Sequence, residues 1–182
     1  PPRPLISCIV SLSGRSYQQL LPAFSTDVLK VGPEGLGLMM AAPGAGTVVG
    51  TAALATMRDV RYKGRAFIGG MLLLSLALVA FSFNRSFPLA LGFLFITGVA
   101  SLVFSTMMST MLQLDVAPAM RGRVMALVAV SFQGVQPIGS MVTGALASLI
   151  GIPEATLVSA LVVGVVAIFV YSFLPSVRDY AR

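Results

Sequence analysis

The chain has 182 residues, of which 57% are hydrophobic and only 10% charged; its net charge is +6, and it contains no His, no Trp and a single Cys. A soluble domain carries about 25% charged residues, so this composition excludes an ordinary water-exposed globule. Cys8 alone permits no internal disulfide, no Cys/His cluster is present to bind a metal, and no cofactor is implied.

Six apolar stretches fill nearly the whole chain, and a helix needs roughly 20 apolar residues to cross a bilayer. The spacing predicts spans at Leu5–Phe24, Leu36–Met57, Ala66–Phe83, Phe87–Gln113, Val124–Ile150 and Thr156–Leu174. The expected fold is an all-α membrane protein of six transmembrane helices, forming one bundle over residues 1–182.

The first span carries Ser7, Ser11, Arg15, Gln18 and Gln19 at three- and four-residue steps, which puts them on one helix face. A mid-bilayer arginine costs roughly 2.5–3.5 kcal/mol, against about 0.3–0.6 returned by each neighbouring Leu or Ile. Arg15 therefore needs a watery cavity or an anionic partner, unless the helix shifts and Arg15 reaches an interface.

The second span holds Pro43-Gly44-Ala45-Gly46 and then Gly50. Gly46 and Gly50 form a GxxxG pair that lets another helix approach closely. The third span is almost purely aliphatic, which suits lipid on most sides. In the fourth, Ser101, Ser105, Ser109 and Gln113 repeat every four residues, and Met107, Met108 and Met111 suit ordinary packing, lipid contact or an adaptable apolar wall.

The fifth span repeats the polar pattern with Gln133, Gln136, Ser140 and Thr143, and holds Pro137, Gly139 and Gly144. The sixth is aliphatic again. Small hydroxyl residues are normal packing elements between membrane helices; the glutamines are costlier to bury without partners. Glycine- and proline-interrupted spans at matching places in two groups of three point to a transport pathway between inverted repeats. Plain helix packing is the other explanation for these glycines.

The links alternate in basic charge. Arg3, Arg58, Arg61, Lys63, Arg65, Arg121, Arg123, Arg178 and Arg182 fall on one side, and Lys30 and Arg85 on the other. The positive-inside rule predicts that both termini are cytoplasmic. The charge thus reads as an orientation signal and not as a nucleic-acid footprint. All six acidic residues, Asp27, Glu34, Asp59, Asp115, Glu154 and Asp179, lie in links or the tail, so no span supplies a carboxylate for a proton relay.

Leu20-Leu21-Pro22-Ala23-Phe24, Gly35-Leu36-Gly37-Leu38 and Ala42-Pro43-Gly44-Ala45-Gly46, with Asp115-Val116-Ala117-Pro118 and Arg121-Gly122-Arg123-Val124-Met125, give the chain a familiar look. It resembles the C-terminal half, helices seven to twelve, of a major facilitator superfamily transporter of the enterobactin-exporter-like, or transmembrane secretion effector, branch. The resemblance implies one half of a major facilitator fold as a 3+3 inverted repeat. It implies that helices seven, eight, ten and eleven line the cavity or the interface between halves, with nine and twelve peripheral. Asp59 and Lys63-Gly64-Arg65 stand where the superfamily has its signature between helices eight and nine, although the spacing from Asp to Gly is too long.

On this basis the expected activity is secondary transport, not enzyme catalysis, with export of small organic molecules such as siderophores or drugs across a bacterial plasma (inner) membrane. Arg15, Gln18, Gln19, Ser109, Gln113, Gln133 and Gln136 are the expected cavity residues. Pro43, Gly46, Gly50, Pro137, Gly139 and Gly144 are the expected helix-breaking or interface positions. Asp59, Arg65, Asp115, Arg121 and Arg123 are the expected cytoplasmic gate, with surface orientation charge as the equal alternative. The expected partners are the lipid bilayer, the small-molecule substrate, and an N-terminal six-helix half or a second copy of the chain. Pro1-Pro2-Arg3-Pro4 reads as the interior of a longer chain. A half-size dimeric transporter and a non-transporting membrane assembly subunit remain the competing readings.

Overall fold

The computed structural model describes residues 18, 20–56, 63–115 and 120–173; these are helical apart from short connections, with no strand among them. A π-helical turn, α1 (Phe24–Val28), is followed by α2 (Pro33–Thr56), α3 (Lys63–Phe83), α4 (Phe87–Asp115), α5 (Arg121–Ile150) and α6 (Ile152–Phe173). Most of the first predicted span, residues 1–17 and Gln19, lies outside the described residues.

The local sequence explains where the helices begin and end. Pro33, Pro88 and Pro153 stand in the first turns of α2, α4 and α6, where a missing N–H costs nothing. Glu34 and Glu154 sit in two of those first turns, where the helix dipole favours negative charge. Between α3 and α4 the Asn84 side-chain amide donates to the Ser86 carbonyl at 2.7 Å, and the Ser86 N–H donates to Asn84 Oδ1 at 3.0 Å. This turn folds α4 back along α3. Gly151, at φ 99°, ends α5 in a backbone region that side chains rarely enter.

The helices are longer than hydropathy predicts. Lys63 and Arg65 lie in the first turn of α3, Arg121 and Arg123 in that of α5, and α4 continues through Asp115. Hydropathy marks only the apolar part of a helix, whereas charged first turns extend beyond it, with long basic side chains able to reach an interface.

Among the described residues, α4 packs against both α2 and α3, α3 against α6, and α6 against α5. The main core joins Leu21 and Phe24 to Leu74, Leu78 and Phe81 of α3, Ala90 and Leu94 of α4, and Ala160 and Val163 of α6. The Phe24 and Phe81 rings lie 4.5 Å apart with their planes 31° tilted. A second core gathers Phe67, Ile68 and Met71 around Phe104, Met107, Ala167 and Val170.

Two serines tie α3 to α6. Ser75 Oγ donates to the Ala160 carbonyl at 2.8 Å, and Ser82 Oγ to the Pro153 carbonyl at 2.6 Å. The serines are seven residues apart on α3 and their acceptors seven apart on α6, in opposite order, so the two helices run antiparallel. Gly164 makes room for this contact, since a Cβ there would meet Ser75 Oγ at 2.6 Å.

The third span is therefore not the lipid-covered helix that its composition suggested. Inside the chain 56% of it is buried, against 22% of α2. Only a stripe including Leu73, Leu76 and Phe83 is exposed. An aliphatic surface suits a protein neighbour as well as it suits lipid, so composition alone did not distinguish the two.

Candidate functional site

α1 departs from regular helix at a point the sequence marks. Pro22 has no N–H, and the Ser25 and Thr26 hydroxyls both donate to its carbonyl, at 2.7 and 3.2 Å. The turn then widens: the Leu29 N–H reaches the Phe24 carbonyl at 3.1 Å and the Val31 N–H the Ser25 carbonyl at 2.9 Å. Lys30 closes it at φ 52°, a left-handed conformation unusual for a side chain with Cβ. Gln18, just upstream, is exposed.

α2 and α4 cross backbone to backbone. A Cβ on Gly46 would strike the Phe95 carbonyl oxygen and come within 3.0 Å of its carbon. A Cβ on Gly98 would strike the Pro43 carbonyl oxygen and lie 2.8 Å from its carbon. Gly50 continues the seam against Val99 and Leu102. Pro43 sits inside a continuous α2 and Pro137 inside a continuous α5, so neither proline ends its helix. In a membrane the carbonyl freed by a proline can find another partner, which makes such prolines tolerable.

The four-residue polar repeat of α4 lies off the face that packs on α3, although Thr97, on that face, is fully buried. Ser105 and Gln113 are exposed and Ser109 is half-buried, whereas Phe104 and Met107 face the second core. In α5, Gly139 and Thr143 are buried, with the Thr143 hydroxyl donating to the Gly139 carbonyl at 2.8 Å; Pro137 and Gly144 are exposed. Gln133 and Gln136 fall within α5, Arg121 and Arg123 in its first turn, Arg65 in that of α3, and Asp115 at the end of α4. The side chains of these six residues lie outside what is described, as do Arg15, Gln19 and Asp59 altogether. Among the described residues no hydrogen bond joins Gln18, Ser109 and Gln113 to one another.

Sequence reasoning missed Gly98, Ser75 and Ser82. A signal for Gly98 was present: it lies in the small-residue run Thr97-Gly98-Val99-Ala100-Ser101, on the scale of the Gly46/Gly50 pair. The two serines had none, because a lone serine in an aliphatic span looks the same whether it faces lipid or a neighbouring carbonyl.

By length and composition α2, α3, α4 and α6 can each cross a membrane, and α5 adds an apolar stretch at Gly139–Ile150. The sequence model of the Major Facilitator Superfamily matches residues 5–181. The chain belongs to this superfamily. It is a multi-pass membrane protein of a family whose members are generally transporters and not enzymes. No curated protein matches the chain.

Proposed function

We propose that the chain is the C-terminal six-helix half of a secondary carrier that exports small organic molecules by alternating access. The observation that carries this reading is the uneven covering of its helices. Among the described residues α3 is enclosed by α4 and α6, while α2 leaves most of its surface free and packs chiefly on α4. An open helix with a glycine seam and threonines suits a boundary against a second bundle and a substrate path better than it suits lipid alone. A 3+3 inverted repeat would exchange α3 with α6, and the antiparallel α3–α6 contact is one that such a symmetry maps onto itself.

In this mechanism the bundle rocks against a second bundle around a mid-membrane site. Arg15 offers positive charge to an anionic group on the substrate, and Gln18, Gln19, Gln133 and Gln136, with Ser109 and Gln113, supply hydrogen bonds. Asp59, Arg65, Asp115, Arg121 and Arg123 gather at the cytoplasmic gate. Both termini lie in the cytoplasm, and the membrane is the plasma membrane of a bacterium.

The test is substrate efflux in membrane vesicles, comparing this chain alone, the chain joined to its upstream coding sequence, and the joined form with Arg15→Ala. Transport by the joined form only, abolished by Arg15→Ala, is the expected result. Transport by the six-span chain alone would replace the two-half reading with a dimer of half-transporters, and unchanged efflux after Arg15→Ala would remove Arg15 from the site.

A further inference from the structure

The two open sides of the α2–α4 pair differ in chemistry. Gly46 lies against Phe95 and Val99, and Gly50 against Val99 and Leu102, so the helices run in the same direction. At about 100° per residue, Thr47 and Thr51 sit about a quarter-turn forward of the Gly46–Gly50 seam. Ser101 and Ser105, three residues beyond Gly98 and Leu102, sit about a sixth of a turn behind the α4 side of the seam. Forward on one helix and backward on its parallel neighbour lead to the same side of the pair. The opposite rotations lead to Ala45 and Val49 on α2 and to Ile96 and Val103 on α4. Along the middle of the pair one side therefore collects these four hydroxyls, while the other is apolar at the matching turns, with Thr56 and Thr110 lying one or two turns further along.

Three of these four hydroxyl protons are engaged. Thr47 Oγ1 donates to the Gly44 carbonyl at 2.6 Å, Thr51 Oγ1 to the Thr47 carbonyl at 2.7 Å, and Ser105 Oγ to the Leu102 carbonyl at 3.1 Å. Each bond stays within its own helix, the usual habit of serine and threonine in membrane helices. A hydroxyl has one proton and two lone pairs. With the proton committed inward, only acceptor capacity faces out, from Thr51 and Ser105, which are exposed, and Thr47, which is half-buried. Exposed Met40 lies seven residues before Thr47, on the same side. Beyond Glu34 in the first turn of α2 and Asp115 at the end of α4, neither helix holds an acidic residue, so a cation bound beside these hydroxyls would find no counter-charge there.

We propose that this side of the α2–α4 pair is a hydrogen-bond-accepting wall that selects non-cationic, largely apolar molecules bearing N–H or O–H donors. The inference rests on the transporter reading above and narrows its substrate class. A molecule with such a donor gains a bond that an otherwise equal molecule lacks, and one hydrogen bond changes a rate or affinity by roughly two- to tenfold.

The experiment uses the protein as its gene encodes it, in energised cells, with N-phenyl-1-naphthylamine as the fluorescent probe. This probe is uncharged at neutral pH and has one N–H; its N-methyl derivative keeps the rings and loses the donor. The wild type is expected to expel the N–H probe roughly two- to tenfold faster than the N-methyl probe. The triple variant Thr47→Val, Thr51→Val, Ser105→Ala should slow only the N–H probe, to the rate of its analogue. Ala45→Ser with Val49→Thr, on the apolar side, should leave the ratio unchanged. Each variant is checked for wild-type membrane abundance and melting temperature, and single substitutions replace the triple if it misfolds. Equal expulsion of the two probes by the wild type, or a preference that survives loss of all three hydroxyls, overturns the proposal. Expulsion of neither probe counts against the transporter reading itself and takes the inference with it.

Discussion

Gly98→Ala is the sharpest test of how this bundle is held together. The added methyl would lie 2.8 Å from the carbon and from the Cα of Pro43, inside the 3.0 Å that real Cβ atoms respect, and closer still to the carbonyl oxygen. The obstacles are backbone atoms, so no rotamer change relieves the clash. α2 and α4 must separate until those contacts reach about 3.4 Å, a shift of roughly 0.6 Å or more along the seam, and the well-packed Phe95–Pro43 crossing opens with it. Overpacking of this kind costs about 1–3 kcal/mol, from which up to about 1 kcal/mol is recovered because alanine favours helix over glycine. The expected net loss is about 1–2 kcal/mol in reversible unfolding of the purified protein in detergent micelles. Gly46→Ala, blocked by Phe95, should cost a similar amount. The double variant should cost clearly less than the sum, because one separation of the helices accommodates both methyls. Gly44→Ala, with nothing within 4 Å of its Cβ, is the control and should be neutral or stabilising. A Gly98→Ala protein as stable as wild type, or strict additivity in the double variant, would refute the backbone-to-backbone crossing.

The remaining predictions concern other contacts. Gly164→Ala should destabilise the α3–α6 contact because its methyl would meet Ser75 Oγ at 2.6 Å, and Ser75→Ala in the same chain should restore much of the loss in the same unfolding assay. Ser75→Ala alone should cost about 0.6 kcal/mol and no more than about 1.7, the range for hydrogen bonds between membrane helices. At Lys30, φ 52° favours glycine, so Lys30→Gly should raise the melting temperature and Lys30→Val, whose branched side chain resists that conformation, should lower it. Phe24→Ala removes a fully buried ring that stacks on Phe81 and should loosen α1, read as faster hydrogen exchange at Leu29 and Val31 with little change in α5. If transport proves proton-driven, the coupling carboxylate should map outside residues 1–182, since all six acids of this chain lie in links, helix ends or the tail; proton-coupled transport by this chain alone would contradict that.

The sequence by itself determined the solvent and the register of the helices. Long apolar runs separated by short polar links leave hardly any alternative to membrane helices, because in hydrocarbon each backbone polar group must be satisfied within its own segment. That constraint is local, and this is why α2 to α6 lie close to where periodicity and hydropathy predict them, with Pro33, Pro88 and Pro153 setting the starts of three. The glycine pair of α2 was legible as a close-contact surface for the same reason, because it is a spacing within one helix. What the sequence left open is which surface meets which. Only the tertiary structure decided that α4 fills the Gly46–Gly50 seam, that α3 is enclosed instead of lipid-covered, and that Ser75 and Ser82 reach carbonyls 85 and 71 residues away. Lipid tails and aliphatic side chains are equally apolar, so hydrophobicity carries no information about the choice between them. Shape complementarity at backbone distance and a few directional hydrogen bonds make that choice, and both depend on atoms brought together from distant parts of the chain.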